Sequence, residues 1–147
     1  MVEFENAVQK ETYEKVSNWL TEIFGKHVQK HDEEPWFKIS MGPTWAIVMV
    51  KDWCGDDAII CSRSIVVHDA QVTPELMRFL LRENTRLTFG AFGMEDGEIT
   101  FDHVIYGATC NKEEVRHSVE AVLRSTDKYD DVIISRWGGK RIADDES

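Results

Sequence analysis

The sequence predicts one α+β domain, an antiparallel sheet accompanied by helices in the order α-β-β-β-α-β-β-α. Two long stretches carry apolar residues three and four apart, the signature of a helix with one buried face. Between them lie short runs rich in Val and Ile, punctuated by Gly, Pro and Asp. A third, shorter helix is announced by the capping order Thr73-Pro74-Glu75.

The first helix is expected from about Gln9 to Lys26. Its stripe comprises Tyr13, Val16, Leu20, Ile23 and Phe24, widened by Trp19. Gly25 and the polar stretch through Glu34 read as its end and a loop. Trp36 to Met41 is the first strand, broken at Gly42-Pro43 because proline cannot donate to a sheet ladder. Thr44 to Trp53 and Ala58 to Val67 follow, separated by the turn Cys54-Gly55-Asp56-Asp57. Such short turns imply an antiparallel meander.

The capped helix then buries Leu76, Phe79 and Leu80 and ends near Asn84 to Arg86. A hairpin from Leu87 to Gly107 turns at Asp96-Gly97, a pair suited to the positive φ that tight hairpins need. Its second arm alternates Ile99, Phe101, His103 and Ile105 against Thr100, Asp102, Val104 and Tyr106, so one of its faces is mainly core. The last helix opens on a capping box of Asn111 and Glu114. Val115, Val119, Val122, Thr126, Tyr129, Ile133 and Trp137 form a seam of roughly 39 Å at 1.5 Å per residue. Gly138-Gly139 stops it, and Lys140 to Ser147 reads as a frayed, flexible polar tail. Residues 1–147 thus read as a single domain.

Composition narrows the function classes. With 147 residues the chain can bury one real core, and 42% hydrophobic content argues against global disorder. The formal charge of −10 disfavours nucleic acid and anionic membranes, which both call for a basic surface. No run approaches the roughly 18 apolar residues of a membrane span. The start, Met-Val-Glu-Phe-Glu, lacks the basic residues of a signal peptide. Cys54, Cys61 and Cys110, without a CxxC pair, fit reduced and mostly buried thiols in the cytoplasm.

No catalytic, cofactor or metal signature emerges. His27 and His31 are four apart, but a polar loop explains them better than a metal site. His103, on the apolar face of its strand, reads as a hydrogen-bonded core histidine, and His117 as solvent-facing. Only a pocket uniting His103 with a carboxylate would revive an enzymatic reading. Gly90-Ala91-Phe92-Gly93 lacks the Lys-Ser/Thr of a phosphate loop and reads as strand glycines allowing a bulge or close packing. Asp127, Asp130 and Asp131 read as a solvated acidic face.

Two features point toward partners. Arg78, Arg82 and Arg86 recur every four residues along one helical face, where they could grip acidic groups, pair internally, or simply be exposed. The central strands are apolar on both sides. Trp45, Ile47, Met49 and Trp53 oppose Ala46, Val48 and Val50; Ile59, Cys61, Ile65 and Val67 oppose Ile60 and Val66. A sheet with helices on one face needs only one apolar side, so the second awaits a helix, a subunit or a ligand.

The strings Leu80-Leu81-Arg82-Glu83-Asn84 and Phe89-Gly90-Ala91-Phe92-Gly93 carry a family resemblance. So do Asp96-Gly97, Ala121, Asp127-Lys128-Tyr129-Asp130-Asp131 and Arg136-Trp137-Gly138-Gly139. Together, over roughly Trp19 to Gly139, they resemble the YbjN-like family and look closest to its cyanobacterial branch. Trp137 departs conservatively from the Phe commoner there. The resemblance implies a type III secretion chaperone-like fold and a protein- or peptide-binding role, often with homodimer formation. It implies no catalytic residues and no cofactor. The expected function is a non-enzymatic module that holds a client segment on its apolar sheet face. Trp45, Ile47, Met49 and Trp53 would supply contact area, and Arg78, Arg82 and Arg86 would steer acidic groups. The alternative is a regulatory or assembly factor acting as a homodimer.

Overall fold

A computed structural model describes residues 1–142. Its elements are α1 (Ala7–Phe24), β1 (Val28–Lys30), β2 (Trp36–Met41), β3 (Thr44–Trp53), β4 (Asp57–His68), α2 (Pro74–Asn84), β5 (Ala91–Glu95), β6 (Glu98–Tyr106) and α3 (Lys112–Trp137). The six strands form one antiparallel sheet in the order β1-β2-β3-β4-β6-β5. The predicted α+β order is present, with β1 added.

That short strand occupies part of the stretch read as a loop. Gln29 pairs with Lys38 and Lys30 with Phe37, so β1 is held by main-chain bonds with little apolar patterning to betray it. His31 follows as a turn device. Its Nδ1 accepts the Glu34 N–H at 2.9 Å, and its ring stacks on Trp36 at 4.4 Å between centroids.

α1 begins two residues earlier than the apolar stripe suggests. Asn6 accepts the Gln9 N–H at 2.8 Å as N-cap, and its amide donates to Asp52 at 2.6 Å. One side chain thereby starts the helix and ties it to the end of β3. Gln9 is buried because its amide donates to the Val50 carbonyl at 3.0 Å, so burial leaves that donor satisfied.

α1 and α3 pack on the same side of the sheet. The core there joins Val16 and Leu20 of α1 to Phe37, Ile39, Ala46, Val48 and Ile60 of the strands. Every member of the predicted α3 seam is buried against them. Each large side chain so placed contributes about 1.5–3 kcal/mol before ordering entropy is subtracted. α2 joins this layer at the β5 end. Phe79 lies 5.3 Å from Trp137 and 6.3 Å from Tyr129, whose hydroxyl donates to Glu83 at 2.9 Å.

Three local expectations need correction. Strict alternation set Val67 with Ile59, Cys61 and Ile65, but a register shift between Ile65 and Val67 turns Val67 to the core side opposite Ile99. A β-bulge adds one residue and reverses the alternation beyond it. Asp130 is not on a solvated face. It is buried and accepts from Arg141 Nε at 3.0 Å. The polar tail is fixed where it begins: Lys140 N–H donates to the His68 carbonyl at 2.9 Å, and His68 N–H to the Lys140 carbonyl at 3.0 Å. The rest of that stretch, residues 143–147, lies outside the described residues.

Asp96 and Gly97 both adopt positive φ, at 50° and 80°, and place Glu95 opposite Glu98 as the hairpin requires. Gly90 has φ 84°, and a Cβ there would stand 2.4 Å from the Phe101 ring. Gly90→Ala should therefore cost about 2–4 kcal/mol, combining overpacking with left-handed strain. Gly97→Ala, with open space around it, should cost about 1–2 kcal/mol. Urea unfolding of both variants checks the difference.

His103, on β6, is half-buried under α3, with Nδ1 at 2.7 Å from Ser118 Oγ and Phe89 edge-on at 5.6 Å. Burial lowers its pKa from the ordinary 6.5. The folded state therefore prefers neutral imidazole. Stability from this group is complete above the unfolded value near 6.5 and is lost as pH falls toward the lower folded value. Stability measured from pH 7.5 to 5 should fall less steeply in His103→Gln than in the native sequence.

Candidate functional site

With the helices all on one side, the opposite sheet face stands without a helix among the described residues. Its rows follow from the strand registers. Trp36 lies beside Met49, then Cys61, then Val104. Lys38 lies beside Ile47, then Arg63, Asp102 and Ala91. Lys51, Ile59 and Tyr106 form a third row. Trp45 and Trp53 stand toward opposite ends of β3 on this face.

The predicted Trp45, Ile47, Met49 and Trp53 are thus together on one surface. Trp53 is 47% exposed, Val104 50% and Tyr106 60%. Trp45, Ile47 and Met49 are half-buried by their neighbours. Lys38 Nζ sits 4.9 Å from the centre of the Trp45 ring, a cation–π contact across adjacent strands.

A polar bridge interrupts this apolar surface. Arg63 donates to Asp102 through Nε at 2.6 Å and Nη2 at 3.0 Å, and through Nη1 to Glu95 at 3.2 Å. The forked bond to Asp102 raises the Arg63 pKa above its ordinary value. Its charge is accordingly answered within the sheet. Cys61, in the adjacent row, is buried, and burial raises its thiol pKa, so it is a poor nucleophile and a packing residue. Cys54 is exposed in the turn before β4.

Arg78, Arg82 and Arg86 do not join this face. They lie on or just beyond α2, which packs on α3 through Phe79. Arg86 pairs with Glu83 at 3.5 Å. Asn84, at the end of the same helix, serves the sheet edge. Its Oδ1 accepts the Phe92 N–H at 2.7 Å and its Nδ2 donates to the Phe92 carbonyl at 3.2 Å. Both main-chain groups of Phe92 on the outer side of β5 are therefore occupied, which blunts that edge.

Trp36, Val104 and Tyr106 were not among the predicted contacts. Trp36 was accessible to sequence reasoning, since the short Gly42-Pro43 turn sets β2 against β3 and alternation then puts residues 36, 38 and 40 on the face of Trp45. Val104 and Tyr106 required knowing that β6 passes α2 and β5 to pair with β4.

No curated protein sequence matches the chain. Among solved structures, the crystal structure of the ExsC-ExsE complex matches with a TM-score of 0.64 at 11% identity, over 86% of this chain and 96% of that one. This likeness shows the fold, the type III secretion chaperone-like architecture. A family model described as "T3SS (YopN, CesT) and YbjN peptide-binding chaperone 1" matches residues 10–145. A match of that extent, on a fold of that shape, means that the chain belongs to the family of T3SS and YbjN peptide-binding chaperones.

Proposed function

We propose that the protein is a chaperone-like binding module that holds a peptide or protein segment on the sheet face opposite its helices. The observation that carries this reading is an apolar surface of Trp45, Ile47, Met49, Trp53, Val104 and Tyr106 with no helix over it among the described residues. Exposed aromatics and methionine suit contact with varied partners, because they offer large area and adaptable shape. The family's description as peptide-binding and a similar fold solved in a complex support the same reading.

The edges favour the face over strand addition. β5 has its outward groups at Phe92 taken by Asn84, and β1 at the other edge is only three residues long. A client would lie across Ile47 and Met49. It would meet Arg78, Arg82 and Arg86 only by wrapping past the β5 end into the other layer.

A homodimer is the second reading, favoured by Leu81 and Met77, which are 67% and 42% exposed on α2. Sedimentation at low micromolar concentration separates the two. A dilution-stable dimer that Leu81→Glu dissociates supports the dimer, and a monomer excludes it.

The leading reading predicts that Trp45→Ala/Met49→Ala binds captured clients at least about tenfold more weakly, the scale of losing central contact residues. Affinity capture from native lysate followed by titration of the recovered partner measures this. Unchanged affinity in a variant that keeps its unfolding midpoint would sink the assignment.

A further inference from the structure

At the Trp36–Met49 end the open face adjoins a groove of about 900 Å³ that runs round the sheet end toward α1, lined by residues from 1–5, Gln9, residues 33–35 and the adjoining ends of β2 and β3. Pro35, Trp36 and Met49, with Met1 and Val50, supply its apolar lining, and Glu3, Glu5, Glu33, Glu34 and Asp52 its negative charge. Lys51 is the one basic side chain among the lining residues. The N-terminal wall is anchored from within: Phe4 packs on Tyr13 at 5.3 Å, and Tyr13 stacks on Phe37 at 5.0 Å.

Two of the carboxylates already work within the fold. Asp52 accepts from the Asn6 amide, and Glu34 accepts the Trp36 indole N–H at 2.9 Å. Those bonds use neutral donors and leave the charge unanswered. None of the five carboxylates is ion-paired among the described residues. On the face itself, by contrast, Asp102 and Glu95 share a cationic partner in Arg63. Crowded, unbalanced carboxylates beside a low-dielectric wall create a negative potential that a cationic occupant relieves. Trp36 adds a π surface, oriented by His31 on one side and Glu34 at its edge. Lys38 over Trp45 demonstrates, two strand positions away, how a lysine sits on a tryptophan of this face.

We propose that the client segment is cationic and amphipathic, with apolar residues on Ile47, Met49 and Val104 and its Lys or Arg residues in the groove around Trp36. This rests on the face-binding reading above and names the chemistry of its occupant. It departs from the expectation that an Arg row would draw acidic groups, because an acidic segment running from this face into the groove would meet five carboxylates there.

The probes are two fluorescein-labelled 14-residue peptides, one alternating Leu with Lys and the other Leu with Glu, titrated by anisotropy into the full chain. The groove variant is Glu3→Gln/Glu5→Gln/Glu33→Gln. A control for net charge, Glu11→Gln/Glu14→Gln/Asp127→Asn, changes exposed carboxylates outside the groove. The expected result is preferential binding of the Lys peptide, weakened roughly tenfold in the groove variant and by less than twofold in the control, and also weakened by added salt. Equal or stronger binding of the Glu peptide overturns the proposal, as does equal loss in both variants or no binding of the Lys peptide. The two readings fail differently. If the Glu peptide binds and Trp45→Ala/Met49→Ala abolishes it, the face reading stands and the cationic preference falls. If no bound peptide responds to that pair, the face reading falls as well.

Discussion

The rest of the molecule depends on one asymmetry of packing: both long helices lie on the same face of the sheet. The α3 seam from Val115 to Trp137 and the α1 stripe through Val16 and Leu20 fill one side with Phe37, Ile39, Val48 and Ile60. A two-layer domain built this way must leave its other sheet face to solvent or to a partner. Here that face is not the polar surface usual for a half-exposed antiparallel sheet. It carries Trp36, Trp45, Ile47, Met49, Ile59, Val104 and Tyr106 in consecutive cross-strand rows.

Polar side chains set limits on how that surface can be used. Arg63, bound by Asp102 and Glu95, is ion-paired among apolar rows, so covering the surface does not strand this guanidinium without a partner. Asn84 occupies the main-chain groups that β5 would otherwise offer to another strand. The Asn6 cap holds the start of α1 to Asp52, and Phe4 holds the preceding residues to Tyr13. Residues 1–5 thereby become a wall of the acidic groove. Local capping, packing and site geometry are linked at that corner.

Much of this was legible in the residues. The bounds of β2 and β3, the Thr73 cap of α2, the capping box of α3 and the Asp96-Gly97 turn all follow from short-range chemistry, and all are present. So was the alternation that gathers Trp45, Ile47, Met49 and Trp53 on one side. β1 escaped because its three residues carry almost no pattern. Val67 was misassigned because a bulge leaves no mark in an apolar run. Asp130 looked solvated because its partner Arg141 lies beyond the glycines that end the helix.

The sequence by itself determined which residues form helices and strands, and that its central strands are apolar on both sides. Those properties are set by steric preference, hydrogen-bonding chemistry and periodicity within a few residues. Tertiary structure alone decided which apolar side the helices cover, because both sides offer similar side chains and only the paths of α1 and α3 choose between them. It also decided that Arg78, Arg82 and Arg86 lie in a different layer from Trp45, and that Glu3, Glu5, Glu33 and Asp52 line one groove with Trp36. Charges distant in the chain share one electrostatic field only after folding brings them together, and no local pattern records that meeting.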